Sequence, residues 1–251
     1  MTAEKRKYPD KLYKYCKKEI YHRFIQQGKL QLGRASYYRR AFEEGAGYGD
    51  KFEGARVFKN SSTVTTREYE KNRRLRNNLG GVYPKPWGLV NNGGKINIPP
   101  GVQWVQYLGD PFIFSLSAEY SASAHEKWWR NDGYDLCLVM EDVDGFLVCL
   151  ERAILAQLEV LGRLHAQSFK DLEYSLRAGL VRYQAKIKSI TAINDDNLFV
   201  KDRKVFGHEK EFRVLASVKP DFFRPYGNDL LQTNDATLSN FFKVHRTLVD
   251  E

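Results

Sequence analysis

Glu209, Glu211 and Arg213 occupy every second position of the segment 208–218, and Phe212, Val214, Ala216 and Val218 fill the positions between and beyond them. Alternation with period two marks a half-buried strand. In such a pleat the apolar set lines one face, and both carboxylates and the guanidinium share the other. A Glu-x-Glu pair on a strand can hold a sugar hydroxyl and a nucleophile at once. Two readings of this face stand: a ligand site, or a solvated strand face with a cross-strand salt bridge.

Other constellations add to it. Ser115 and Ser117 share one face of Phe112-Ile113-Phe114-Ser115-Leu116-Ser117. Their hydroxyls either brace a bound ligand or are ordinary small polar residues on a sheet. In Leu12-Tyr13-Lys14-Tyr15, Lys14 is a cation on a short strand flanked by rings. It suits a phosphate or a ribose hydroxyl, or it is a surface lysine. Trp128 and Trp129, with Tyr134 nearby, cannot both face one core from one helix. One of them covers a pocket or stacks on a planar ring, or both pack across a bend. From Arg34 to Lys95, arginines interleave with Tyr37, Tyr38, Tyr48, Tyr69, Tyr83 and Trp87. That pattern matches phosphate contacts plus base stacking, or a solvated insertion. Its densest part, residues 67–77, reads as a basic helix carrying Arg67, Lys71, Arg73, Arg74 and Arg76.

The elements that must position these groups follow from local pattern. Residues 1–11 are polar, with a basic Lys5-Arg6-Lys7 cluster. A strand at 12–15 leads to a helix over 17–27 that stops at Gly28, and then to a strand at 30–32. Residues 37–100 are irregular. A strand over 111–117 precedes a helix over 119–130 that ends at Asn131-Asp132-Gly133. Strands at 135–140 and 146–150 read as joined by a turn at Asp144-Gly145. An amphipathic helix spans 152–164, and strands follow at 180–193, 197–204 and 209–218. Strands outnumber helices and are joined mostly by hairpins. The expected fold is α+β, with a largely antiparallel sheet that is strongly curved or split.

Composition bounds the function. The 251 residues are 42% hydrophobic, enough for a sizeable core. The net charge of +9 favours a polyanionic partner, nucleic acid or anionic lipid, over a neutral one. No apolar run is long enough to span a bilayer, and no signal-peptide pattern opens the chain. The three cysteines are widely spaced and suggest neither disulfides nor zinc, so a reducing cytoplasm is the expected compartment. The histidines are scattered, and no structural metal is expected. The chain lacks a P-loop, a Rossmann glycine fingerprint, HExxH and GxSxG, which disfavours ATP-driven chemistry, hydride transfer and zinc or serine hydrolysis.

Taken in order, the motifs resemble a widespread bacterial family of unassigned function. That family opens on a Tyr-Lys-Tyr strand, here Tyr13-Lys14-Tyr15. It continues with an Asp-Pro-Phe-Glu motif, here Asp50-Lys51-Phe52-Glu53 with lysine in place of proline. A Phe-Ser strand follows, here Phe114–Ser117, then a tryptophan and a strand such as 134–138. It ends on Glu-x-Glu-x-Arg, here Glu209 to Arg213. The long stretch between Glu53 and Pro111 departs from the pattern.

The same three-part layout is similar to ADP-ribosyltransferases. These carry an Arg or His on the first strand, a Ser or Tyr on a middle strand and a Glu on a late strand. The matching positions are Lys14, Ser115 and Glu211, with Glu209 upstream. The resemblance implies a single domain over 1–251, a basic aromatic insertion at about 54–110, and a split sheet clasping NAD in a cleft. It implies catalytic roles for Glu211 and Glu209, and NAD contacts from Lys14, Tyr13, Tyr15, Ser115 and Ser117. It also implies a toxin or phage-defence effector, with a possible neutralising antitoxin partner. The basic segment Arg67, Lys71, Arg73, Arg74, Arg76 points to nucleic acid, RNA above all, as the acceptor. Two other readings remain open at this stage. One is a non-catalytic nucleic-acid-binding protein; the other is a hydrolase of a nucleotide or N-glycosidic bond acting through Glu209 and Glu211.

Overall fold

The computed structural model describes residues 8–44, 55–59, 63–65, 91–92, 95–97, 103–107, 110–164, 173–184, 200–202, 210–218 and 229–248. In chain order the first strands are β1 (Leu12–Cys16), β2 (Gln31–Arg34), β3 (Ala55–Lys59), β4 (Thr63–Thr65), β5 (Asn91–Asn92), β6 (Lys95–Asn97), β7 (Gln103–Tyr107) and β8 (Phe112–Ser117). Then come β9 (Leu136–Met140), β10 (Tyr174–Leu180), β11 (Arg182–Gln184), β12 (Val200–Asp202), β13 (Glu211–Val218), β14 (Leu230–Gln232) and β15 (Lys243–Thr247). Eight of them form one sheet in the order β10-β13-β8-β1-β9-β15, with β2 joining β8 to β14. Every ladder within that sheet is antiparallel. The fold is α+β, as the strand and helix patterns imply.

One face of the sheet makes the core. Leu12 and Cys16 of β1, Phe112, Phe114 and Leu116 of β8, Leu136, Leu138 and Met140 of β9, and Phe212, Val214 and Ala216 of β13 pack in a single cluster. The helix Val143–Leu164 covers them with Phe146, Leu147, Leu150, Ala153, Ile154 and Leu158. These residues recur at three- and four-residue intervals, the stripe of a buried helix face.

That helix corrects the expected strand at 146–150. Asp142 accounts for the difference. Its side chain accepts from Gly145 N at 2.9 Å, and its carbonyl accepts the first helical bond from Phe146 N at 3.1 Å. Asp142 is thus an N-cap, and the Asp144-Gly145 pair belongs to the first helical turn rather than to a hairpin. A run such as Phe-Leu-Val-Cys-Leu is compatible with either state, and the cap decides.

Three other expectations change. The stretch 37–100, read as irregular, includes the end of a helix, Ala35–Glu43, whose start is held by Asp110: its carboxylate accepts from Ser36 N at 2.6 Å. Within the same stretch, β3 pairs β7, and β6 lies between β4 and β5. Of the strand expected at 180–193, residues 185–193 lie outside the described residues; its described start divides between the end of β10, which pairs with β13 from Tyr174↔Val218 to Leu180↔Phe212, and the short β11. The helix over 17–27 is broken at Phe24 into Lys18–Arg23 and a 3₁₀ turn, Ile25–Gln27. Gly28 then ends it in the left-handed conformation, φ 71°, as its place after the last helical residue requires. No described helix is long and apolar enough to cross a membrane.

Candidate functional site

The sheet opens between β1 and β8. β1 pairs with β9 along five residues, from Leu12↔Met140 to Cys16↔Leu136, but meets β8 at Tyr13↔Ser117 alone. The far end of β8 pairs instead with β2, at Gly33↔Ile113 and Arg34↔Phe112. Lys14 bridges the gap between these pairings. Its Nζ donates to the Ser115 carbonyl at 2.9 Å and stands 4.8 Å from the centre of the Phe114 ring. Burial pushes the Lys14 amine below its ordinary pKa, against the opposing pull of Cys16 and Glu211. Lys14 is therefore not a surface lysine. The ring beneath its ammonium is Phe114, because Tyr13 and Tyr15 point to the opposite face of β1.

Glu211 opens β13 on the side of the sheet away from the main core. Lys210 before it has φ 46°, a left-handed conformation that non-glycine residues adopt rarely. The Lys210 carbonyl is held by Ala118 N at 2.8 Å, and the Glu211 carbonyl by Val181 N at 2.8 Å. Across the ladder Glu211 faces Ser117, and Arg213 faces Ser115. Ser115 Oγ donates to Glu211 Oε1 at 2.6 Å, and Arg213 Nε donates to the same oxygen at 2.7 Å. Glu211 is 5% exposed and Arg213 2%. A solvated strand face is excluded by these values. Further along this side, Leu215 packs with Ala35 and Ile113 in a second small apolar cluster, so the ion pair is closed off at that end.

The structure thus brings the Ser115 and Glu211 side chains together on one face, whereas Lys14, expected to join them, lies on the opposite, core-lining face of β1 and reaches only the Ser115 backbone. Ser117 is also near: it is buried opposite Glu211, with its Oγ donating to the Glu119 carbonyl at 2.7 Å. Tyr13 pairs with Ser117 in turn. Glu211, Ser117 and Tyr13 therefore lie in one cross-strand row on one face, and two strand spacings, roughly 10 Å, separate its ends. The Tyr13 ring is half-buried. Tyr15 is enclosed at 7% exposure. Its hydroxyl accepts from Ser121 N at 3.0 Å, and its ring meets Trp128 edge-on at 4.5 Å between centroids and His125 at 5.1 Å. Burial raises the Tyr15 phenol above its ordinary range, although the Ser121 N–H opposes the shift. Tyr15 is thus a wall of an aromatic cluster, and Tyr13 offers the more open ring. Trp129 is half-buried. Glu209, Asp50 to Glu53 and the basic set Arg67, Lys71, Arg73, Arg74, Arg76 lie outside the described residues.

Sequence reasoning missed three members of the aromatic cluster, Tyr120, His125 and His245. His125 is fully buried on the helix Ala122–Asp132, and His245 of β15 packs on Tyr120 at 4.6 Å and on Tyr13 at 5.3 Å. A signal for His125 exists: with Ser121, Ala124 and Trp128 it follows the i, i+3, i+4, i+7 rule of a buried helix face. His245 has no local signal, because β15 carries no alternation of apolar residues.

On the core side a groove of about 510 Å³ runs between the helix Val143–Leu164 and the 3₁₀ segment Ala236–Phe241, lined by Val148, Cys149, Arg152, Thr237 and Phe241 among others. Its polar groups satisfy one another: Arg152 Nη2 reaches Asp235 and Thr237 at 3.2 Å each, and Cys149 Sγ lies 2.9 Å from Thr237 Oγ1. No residue of β1, β8 or β13 lines it. The arrangement ties the 3₁₀ segment to the helix. Comparison with protein-family models, with curated proteins and with solved structures found no match.

Proposed function

We propose that this chain is an ADP-ribosyltransferase, moving ADP-ribose from NAD to a macromolecular acceptor, with nucleic acid, RNA in particular, as that acceptor. The observation that carries the reading is the convergence on Glu211 Oε1 of Ser115 Oγ and Arg213 Nε beside the opening between β1 and β8. A carboxylate fixed by two donors, one of them an arginine, is a preorganised acceptor for developing positive charge.

The donor set suits the ribose end of NAD. Cleavage of the nicotinamide–ribose bond develops positive charge on the sugar, and a fixed anion that accepts from a ribose hydroxyl stabilises that charge more than it stabilises the ground state. Glu211 supplies the anion. Ser115 and Arg213 hold its orientation, so little reorganisation is needed as the charge develops. Tyr13, two strands away in the same row, offers a half-buried ring face for a planar group. Lys14 acts on this site through the Ser115 backbone, which it anchors across the opening. Glu209 is the residue proposed to orient or deprotonate the acceptor. The toxin or defence role and an antitoxin partner belong to the same reading.

The test is incubation of the chain with NAD labelled in its adenylate part, with and without RNA, DNA and protein acceptors. Nicotinamide release with the label retained on a macromolecule is the expected result. Release with all label in free ADP-ribose favours the hydrolase reading. The absence of release under every acceptor condition overturns both and leaves nucleic-acid binding without catalysis.

A further inference from the structure

The row that begins at Glu211 does not stop at Tyr13. It continues through Val139 of β9 to Lys243 of β15, the exposed edge of the sheet. Every residue of β15 is exposed. Lys243 and Arg246 are three positions apart, so a regular strand would put them on opposite faces. The β15–β9 ladder is irregular between Val244 and Arg246, and its register pairs Lys243 with Val139 and Arg246 with Cys137. Val139 and Cys137 pair with Tyr13 and Tyr15 of β1. The bulge therefore turns both cations to the face that carries Tyr13 and Glu211, and His245, within it, lays its ring on Tyr120 and Tyr13.

The result is a surface of defined chemistry. Three rings, Tyr13, Tyr120 and His245, sit between a buried carboxylate at one end and a basic edge at the other. Glu141 accepts from both Lys243 Nζ at 2.9 Å and Lys11 Nζ at 2.8 Å, so two cations share one anion there. Arg246 makes no ion pair among the described residues. Asp135, a second carboxylate near this end, accepts from Lys18 N at 2.7 Å. Among the described residues, the cations Lys11, Lys243 and Arg246 outnumber Glu141 and Asp135 along an edge that carries the His245 and Tyr13 rings. Acidic peptides match the cations but not the rings. A duplex keeps its bases stacked and closed to a flat sheet face. An unpaired strand satisfies both features, with bases on rings and phosphates on cations.

We propose that this face binds single-stranded nucleic acid, with bases against Tyr120, His245 and Tyr13 and backbone phosphates at Lys243 and Arg246. Its purpose as an acceptor track leading toward Glu211 rests on the transferase reading; the binding itself does not.

The experiment is a fluorescence-anisotropy titration of labelled oligouridylate and oligothymidylate at several salt concentrations, with poly-glutamate as the acidic-peptide control. Replacing Lys243 and Arg246 with alanine removes two phosphate contacts. The log–log salt slope should flatten by roughly 0.7 for each contact, or roughly 1.4 in total. His245→Ala should weaken binding roughly ten-fold at constant slope, because a lost stacking platform carries no counterion release. Exposed edge residues tolerate substitution, and an unchanged melting temperature verifies the fold in each variant. Arg246→Glu provides a second, charge-reversed check. Failure of the parent chain to bind either oligonucleotide, variants that keep the parental affinity and slope, or poly-glutamate binding as tightly as the oligonucleotides would each overturn the proposal. Nicotinamide release from NAD is scored separately. Its absence removes the transferase reading while the oligonucleotide titration still decides this one.

Discussion

Arg213 and Glu211, two residues apart on β13, form an ion pair of 2.7 Å in which the guanidinium is 2% exposed and the carboxylate 5%. Pairs of this kind cost desolvation on both sides, and hydrophobic replacements are often as stable or more so. An ion pair buried at this depth is therefore weak evidence of a stabilising role. Removing one partner alone strands the other. Glu211→Gln should therefore destabilise the fold by about 3 kcal/mol or more, and Arg213→Met in the same chain should recover most of that loss. Urea unfolding of the parent, both single variants and the double variant measures the coupling. Additive effects would show that the pair is not coupled.

Catalysis separates from stability in the same variant. On the fraction of Glu211→Gln that stays folded, nicotinamide release should fall about 10²–10³-fold, the usual loss when one electrostatic contact to a developing charge is removed. The dissociation constant for NAD should change much less, because the charge matters most in the transition state. Calorimetric binding beside a release assay reads the two quantities. Release at the parental rate would move the chemistry to another group.

The two serines of β8 should behave differently although sequence treats them alike. Ser115 Oγ is bonded to Glu211, whereas Ser117 Oγ is bonded to the Glu119 carbonyl. Ser115→Ala should cost about 1 kcal/mol of stability and lower nicotinamide release roughly ten-fold, because Glu211 loses one of the donors that orient it. Ser117→Ala removes a similar local bond, and its effect should fall on stability rather than on turnover. Equal loss of release in both variants would point to sheet packing rather than to orientation of Glu211.

Period-two alternation made β8, β13 and the Ser115 and Glu211 faces legible, because strand geometry fixes which residues of one strand share a face before any partner strand is known; it did not show that Lys14 lies on the other side of the sheet. The partner strand itself was not legible. Nothing local shows that Glu211 faces Ser117, or that β1 leaves β8 after one residue pair. The helix Val143–Leu164 was misread in its first turns because Asp142 acts through its side chain as a cap, while Asp144-Gly145 carries the composition of a turn. The start of the helix Ala35–Glu43 depends on Asp110, more than seventy positions away, so its signal is tertiary. β15 was invisible for a related reason: its residues are exposed and polar, and the bulge that aligns Lys243 with Arg246 breaks the alternation that reveals strands.

His125 gives the fold a measurable pH dependence. It is fully buried against Tyr15 and Tyr120, and among the described residues neither ring nitrogen makes a hydrogen bond of full geometry, the Tyr134 backbone being its nearby polar neighbour. Burial lowers its pKa below 6.5, the nearby positive charge of Arg246 adds to that shift, and the Tyr134 backbone and Asp135 oppose it. The unfolded chain, with an ordinary imidazole, binds a proton first as pH falls. Stability should therefore be full above about pH 6.5 and decline below it, by up to about 1.4 kcal/mol per pH unit until the folded pKa is reached. The paired carboxylates titrate elsewhere. Glu141, held at about 2 by hydrogen bonds from Lys11 and Lys243, and Asp235, lowered by Thr237, lose their contribution only below their unfolded values of 4.5 and 3.8. Among the described acidic groups and histidines with a resolved shift, His125 is the one whose stability contribution changes between about pH 5 and 6.5. Urea midpoints for the parent should fall across this interval, and His125→Phe, which keeps a ring in the cluster without a titrating group, should flatten the profile. A variant whose midpoints decline as steeply as the parent's would assign the acid sensitivity to another group and leave His125 a neutral packing residue.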